Sequence, residues 1–168
     1  MLRTPTRVKL GSRARNVDTP DVLLVASSGG HLLELLELAG QYERRRRHWI
    51  TFDKPYARVL LEGESVTFAY GPTNRHVGNL LRNVVLAFQV MFRLAPVAVI
   101  TTGAGVGVPF LYAARAFGKR AIFVESLARI DQLSLSGRLV YPVATDFFVQ
   151  WPELAERYRR GRYAGAIF

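Results

Sequence analysis

The sequence contains no cysteine, which removes disulfides, thiol nucleophiles and thiolate-bound metals at once. That absence fits a reducing compartment. Histidine is scarce too: His31, His48 and His76 are the whole set, with no His-x-x-x-His spacing, and no Asp-x-Asp occurs anywhere. No metal site is therefore expected. No stretch approaches the roughly 20 clean apolar residues needed to cross a bilayer. The N-terminal region lacks the apolar core of a secretory signal. The two best-known phosphate-binding signatures are also missing, since neither Gly-x-x-x-x-Gly-Lys-Ser/Thr nor Gly-x-Gly-x-x-Gly is present.

Acidic residues are few. Thirteen Asp and Glu face 23 Lys and Arg, for a formal charge of +10 over 168 residues. Such a balance suits a polyanionic neighbour: nucleic acid, an anionic membrane face or a phosphate-bearing substrate. Many of the cations cluster in three groups: Arg3, Arg7, Lys9, Arg13 and Arg15 in an arm over residues 1–20 that has no acid from Met1 to Asn16, then Arg44 to Arg47, then Arg157, Arg159, Arg160 and Arg162. All three also read as solvated patches that aid solubility. Nucleic-acid binding would call for aromatics interleaved with the basic residues. Tyr158 and Tyr163 alone answer that description, so no nucleic-acid partner is expected.

From residue 21 onward, short β-rich runs alternate with helical stretches. Val22 to Ala26 is continuously apolar, the pattern of a strand covered on both faces. Further strands are predicted at Trp49–Phe52, Ser65–Tyr70, Val97–Thr101, Arg120–Val124 and Asp146–Val149. Helices are predicted at His31–Tyr42, Gly78–Leu94, Val108–Phe117 and from Pro152. This alternation implies a single Rossmann-like three-layer α/β/α sandwich with a mostly parallel sheet, spanning residues 21–168. Ligands in such folds sit beyond the carboxyl ends of the strands, which selects three loops: Ser27 to His31, Thr101 to Gly107 and Glu125 to Asp131.

Ser28-Gly29-Gly30-His31 has the form of a phosphate-cradling turn at a helix start. Gly103-x-Gly105-x-Gly107 is a second glycine loop, and either could equally be a tight strand-to-helix turn. His31 is a candidate general base or a helix-start histidine bonded to nearby backbone. Glu125, with Ser126 beside it, could bind a sugar hydroxyl, assist catalysis or cap a helix. On the long predicted helix, Phe88, Met91 and Phe92 belong to a wide apolar surface, interrupted by a polar stripe of Arg82, Gln89 and Arg93. That helix either packs on two sides or lies on a membrane with its basic residues at the headgroups.

Taken in order, these motifs resemble GT-B glycosyltransferases. The Ser28–His31 turn, the loop Thr101-Thr102-Gly103-Ala104-Gly105 with Pro109 downstream, and Val124-Glu125-Ser126 are similar to the glycine loops and post-strand Glu of the lipid II-forming N-acetylglucosaminyltransferase. With Phe148-Val149-Gln150-Trp151-Pro152-Glu153-Leu154 and Tyr163-Ala164-Gly165, the chain is identified as a member of the asparagine-linked glycosylation 14-like family of oligosaccharide and exopolysaccharide biosynthesis proteins. Bacterial members resemble subunits of capsule glycosyltransferases.

The resemblance implies the acceptor-side half of a split enzyme, a heterodimer inactive without a donor-binding subunit. It implies transfer from a UDP-sugar to a polyprenyl-diphosphate-linked saccharide, with no cofactor or metal. His31 would act as base, and Glu125 with Ser126 would position the acceptor. Ser28, Gly29, Gly30 and Thr102 to Gly105 would face the phosphates. Arg82, Phe88, Met91, Phe92 and Arg93 would meet an anionic membrane. Eukaryotic relatives carry an N-terminal transmembrane anchor where this chain has the basic arm, so peripheral attachment at the cytoplasmic face is expected. The alternatives are a non-catalytic membrane scaffold and a stand-alone nucleotide-sugar enzyme, for which Asp53 is the sole candidate ribose-binding acid.

Overall fold

In the computed structural model, residues 20–73 and 76–167 are described. The arm expected over residues 1–20 lies, apart from Pro20, outside them. The continuous apolar runs become β1 (Val22–Val25), β4 (Ala98–Thr101), β5 (Arg120–Val124) and β6 (Asp146–Val149), with β2 at Arg47–Phe52 and β3 at Val66–Ala69. A seventh strand, β7 (Gly161–Tyr163), closes one edge. Its order is β3-β2-β1-β4-β5-β6-β7, and every pairing is parallel. The expected mostly parallel sheet is thus wholly parallel, and the fold is the single Rossmann-like unit read from the sequence.

Alternation along the strands divides the core in two. Leu23 and Val25 of β1 face a cluster completed by α4 (Val77–Leu94), α5 (Ala104–Ala116), α6 (Leu135–Val140) and α7 (Pro152–Arg157). Val22 and Leu24 face the other cluster, with α1 (Gly30–Glu37), α2 (Ala39–Tyr42) and α3 (Pro55–Leu60). Successive strand side chains point to opposite faces, so a strand buried on both sides must be apolar throughout. Phe123 stacks on Phe147 at 4.9 Å between ring centroids, joining β5 to β6.

Several elements differ from expectation. The predicted helix over 31–42 is two helices broken at Leu38. The helix after β4 begins at Ala104, four residues early, and carries Pro109 inside its first turns. Pro109 is the sixth residue of that helix, past the first turn, so the Gly105 carbonyl is left without its usual amide donor four residues on. The arginine run at 44–47 is not simply a solvated patch. Arg47 makes a two-pronged pair with Glu64 (2.9 and 2.6 Å), which also accepts from the Trp49 indole at 3.1 Å. Arg46 pairs with Asp21 at 3.1 Å. These contacts tie β2 to its neighbours. Met91, expected at a membrane surface, is 1% exposed and belongs to the core. It lies on the inner edge of α4, whereas Phe88 and Phe92 lie on the outer face.

His48 on β2 is buried, with each ring nitrogen 2.8 Å from a hydroxyl, Ser65 Oγ and Thr67 Oγ1. Burial lowers its pKa from the ordinary 6.5 to about 4. The unfolded chain therefore binds this proton more readily than the native one. Stability is fully present above pH 6.5 and is lost as the pH falls toward 4, by about 3 kcal/mol in total. Urea denaturation at several pH values should show this loss in the wild type. The slope between pH 6.5 and 4 should flatten in His48→Gln, whatever that variant's absolute stability.

Candidate functional site

The strand order reverses between β1 and β4, so their carboxyl ends open a crevice. The loop after β1 leads through Gly29, the residue preceding α1, to His31 in the first turn. The loop after β4 meets it there. Thr102, fully buried, donates from Oγ1 to the His31 carbonyl at 2.6 Å. Gly103 lies flat against the imidazole, since a Cβ at that position would sit 3.1 Å from His31 Cε1. Its φ of 121° is in any case a conformation for glycine. The two glycine loops thus brace one histidine.

The imidazole faces a carboxylate. His31 Nδ1 lies 3.2 Å from Glu34 Oε2, three residues along α1. Glu34 is only 6% exposed. Its Oε1 accepts from Ser126 Oγ at 2.8 Å and from the Leu127 amide at 3.1 Å, both on the loop after β5. Burial alone would raise the carboxyl pKa, but the hydrogen bonds from His31, Ser126 and Leu127 outweigh it and hold the group below the usual range. Glu34 stays an ionised acceptor.

Glu125 sits beneath this arrangement. It is 0% exposed, and its carboxylate accepts from the Ser126 amide (3.0 Å), the Ser134 amide (2.9 Å) and Ser134 Oγ (3.1 Å). Its Oε2 also fills the space against Gly137 where a side chain would otherwise stand. Glu125 was expected to position a substrate; its oxygens here are taken up within the loop that it shapes. The Gln150 amide donates to the Glu125 carbonyl (2.9 Å), and the Trp151 indole to the Leu127 carbonyl (2.7 Å). The distinctive Gln-Trp-Pro segment therefore supports the same loop.

Above these residues lies a cleft of about 1050 Å³, lined among others by Ser27, His31, Ala104, Gly105, Ser126 and Ser134. Of the predicted site residues, His31, Ala104, Gly105, Ser126 and Arg82 reach it. Ser28, Gly29, Gly30, Thr102 and Gly103 are absent from its lining. Among the described residues, three cations, Lys54, Arg82 and Arg129, line it with a single carboxylate, Asp53. Asp53 is already engaged by Arg58 at 2.6 and 2.8 Å, and this pairing lowers its pKa. The cleft is therefore electropositive. Arg82, expected at a membrane, sits with its guanidinium 5.7 Å from the Tyr70 ring centroid, and Tyr70 also lines the cleft. Leu80, Val108, Leu135 and Leu139 supply an apolar wall.

Outside the cleft, α4 exposes Val77, Leu81, Val85, Phe88 and Phe92, the last at 78%. Phe88 meets Phe117 at 6.0 Å and extends the patch. Among the described residues, no helix is long and apolar enough to cross a membrane. No three His, Asp or Glu side chains among them converge as metal ligands do.

Sequence reasoning missed Glu34, Lys54 and Arg129. The His31-x-x-Glu34 spacing puts the two side chains on one helix face. Nothing local marks the remote loop that Glu34 also meets.

Residues 72–167 match the family described as "Oligosaccharide biosynthesis protein Alg14 like". The chain is 49% identical over 177 residues to the UDP-N-acetylglucosamine transferase subunit ALG14 of Eremothecium gossypii, covering 87% of this chain and 79% of that one. It is 29% identical over 180 residues to the human protein of the same name, covering 87% and 82%. Among solved structures, Acinetobacter baumannii MurG superposes with a TM-score of 0.65 at 20% identity, over 79% of this chain. That likeness is one of fold, and this chain spans only 42% of that protein.

Replacing Glu125 by Ala should leave the Ser126 and Ser134 donors without their acceptor and cost about 1–3 kcal/mol of stability. Thermal unfolding would register the loss. Hydrogen exchange should quicken selectively over residues 126–134.

Proposed function

The chain belongs to the Alg14-like family of oligosaccharide biosynthesis proteins, and from that premise we propose that it is the acceptor-binding subunit of a two-chain glycosyltransferase. The transfer runs from a UDP-sugar to a polyprenyl-diphosphate-linked saccharide, and a separate subunit supplies the donor-binding half. The observation that carries this reading is the electropositive cleft with His31 in its wall, at the carboxyl edge of the Rossmann-like sheet. The curated relatives are named as subunits of a UDP-N-acetylglucosamine transferase, which supports both the sugar nucleotide and the partner.

In this mechanism His31 Nε2 takes the proton of the acceptor hydroxyl as its oxygen attacks the anomeric carbon of the donor. The bond from that carbon to the UDP oxygen breaks, and UDP leaves with the electron pair. Lys54, Arg82 and Arg129 hold the acceptor diphosphate, doing with side chains what the glycine-loop amides were expected to do. Gly105 and the start of α5 add backbone donors at the positive end of a helix. The transfer as proposed uses no metal held by this chain. The apolar face of α4, with Arg93 at its end, rests on an anionic membrane at the cytoplasmic side.

The test is reconstitution with the donor-binding subunit, a UDP-sugar and a short-chain acceptor that needs no membrane. The chain alone should give no turnover. His31→Ala should lower kcat by roughly 10²–10⁴-fold, and an unchanged kcat would leave His31 a structural residue. Arg82→Ala should raise the acceptor KM about tenfold or more even with this soluble acceptor, whereas a purely membrane-facing Arg82 would leave it unchanged. Phe88→Glu with Phe92→Glu should abolish flotation with anionic vesicles while sparing turnover of the short acceptor.

A further inference from the structure

We propose that Glu34 is the positioning residue of the site, holding His31 in the one tautomer that can act as a base and coupling it to the loop after β5. The inference rests on the proposed role of His31 and concerns a residue to which that role assigns nothing.

A carboxylate that is almost wholly buried is costly to desolvate unless donors surround it. Glu34 has three. Two of them, Ser126 Oγ at 2.8 Å and the Leu127 amide at 3.1 Å, converge on Oε1. That oxygen alone would suffice to tie α1 to the loop. The other oxygen, Oε2, faces Nδ1 of His31 at 3.2 Å. An ionised carboxylate only accepts hydrogen bonds, so Nδ1 must carry the hydrogen that points at it. A neutral imidazole with a hydrogen on Nδ1 has its lone pair on Nε2. Gly103 packs on the ring and Thr102 holds the His31 carbonyl, so rotation is restrained and the lone pair keeps its aim. The carboxylate also stabilises the imidazolium formed when Nε2 takes a proton.

Glu34 is not a helix cap. It lies beyond the first turn of α1, and the residue before that helix is Gly29. Its partners are 92 and 93 residues away in sequence. The placement of Ser126, which itself lines the cleft, is thereby transmitted to His31. A substrate that shifts Ser126 shifts the carboxylate that aims the base.

Glu34→Gln separates positioning from plain support. Its amide oxygen can still accept from Ser126 and Leu127, so the fold should hold. Its amide hydrogens now face Nδ1, which must become an acceptor, and the imidazole hydrogen moves to Nε2. With ¹⁵N-labelled histidine in the full chain, and signals assigned by substituting the three histidines in turn, the wild type should show a protonated Nδ1 and a bare Nε2. Glu34→Gln should show the reverse. In the reconstituted two-chain enzyme, its kcat should fall by roughly 10²–10⁴-fold, with acceptor KM and thermal midpoint near wild type.

A wild-type His31 with its hydrogen on Nε2 overturns the proposal, and that measurement needs no variant to fold. An inverted tautomer with undiminished kcat overturns instead the role of His31 as base. A fall in kcat with the tautomer unchanged assigns Glu34 to structural support and removes it from positioning.

Discussion

A carboxylate sealed from water must be given donors by the chain around it, and Glu125 obliges much of this site to form. Its oxygens draw in the Ser126 and Ser134 amides and the Ser134 hydroxyl, which folds residues 126–134 back over the end of β5. Its carbonyl receives the Gln150 amide, and Gln150 Oε1 in turn accepts from the Ile167 amide at 2.9 Å. Once the loop is placed, Ser126 and Leu127 present donors to Glu34, and Glu34 presents its other oxygen to His31. Two buried carboxylates thus act in series. The first shapes a loop without touching the cleft, and the second carries that shape to a side chain in the cleft wall.

The positive charge of the chain divides along similar lines. Arg46, Arg47, Arg58 and Arg120 are each spent on an acid, respectively Asp21, Glu64, Asp53 and Asp146. Asp146, with burial opposing and Arg120, Thr145 and Arg162 prevailing, is held below the usual carboxylate pKa. Exposed pairs such as Asp53–Arg58 add little to stability. In the cleft, however, that pair occupies the one carboxylate that the described residues bring to the lining and leaves Lys54, Arg82 and Arg129 to set its sign. An excess of +10 over the whole sequence is a diffuse property. Three cations around one cleft suit a diphosphate.

The strands were legible because burial on both faces forces continuous apolar runs, as in Val22–Val25, and because the turns after β1 and β4 are rich in glycine. The elements that escaped are short or half-exposed. The α3 helix leaves Val59 and Leu60 in solvent, so no apolar stripe announces it, and β7 is three residues of edge strand. Met91 and Phe92 are adjacent and equally apolar in sequence. Only the rotation of α4 about its axis sends one to the core and the other to the surface. The candidate site was legible as far as its loops. Glu34 escaped because its meaning lies in contacts across more than 90 residues. The depth of Glu125 was not legible, because its position at the ligand edge of the sheet says nothing of it. A carboxylate there can face the ligand or hold up the loop that does, and the choice depends on where Ser134 comes to lie.

The α4 helix links the cleft to the outer surface. Asn79, Leu80 and Arg82 on one of its edges line the cleft, while Leu81, Val85, Phe88 and Phe92 project outward. A helix repeats its facing every 3.6 residues, so these two rows are fixed relative to one another by the backbone alone. If the outer row rests on a bilayer, the inner row lies within a helix diameter of it, roughly 10–12 Å. The apolar wall of Leu80, Val108, Leu135 and Leu139 lies on the same side of the sheet as α4. A diphosphate held by Lys54, Arg82 and Arg129 would then have its hydrocarbon leave along apolar side chains rather than through water. A cleft so placed has less need of a deep pocket for the lipid, because the membrane itself holds the rest of the chain.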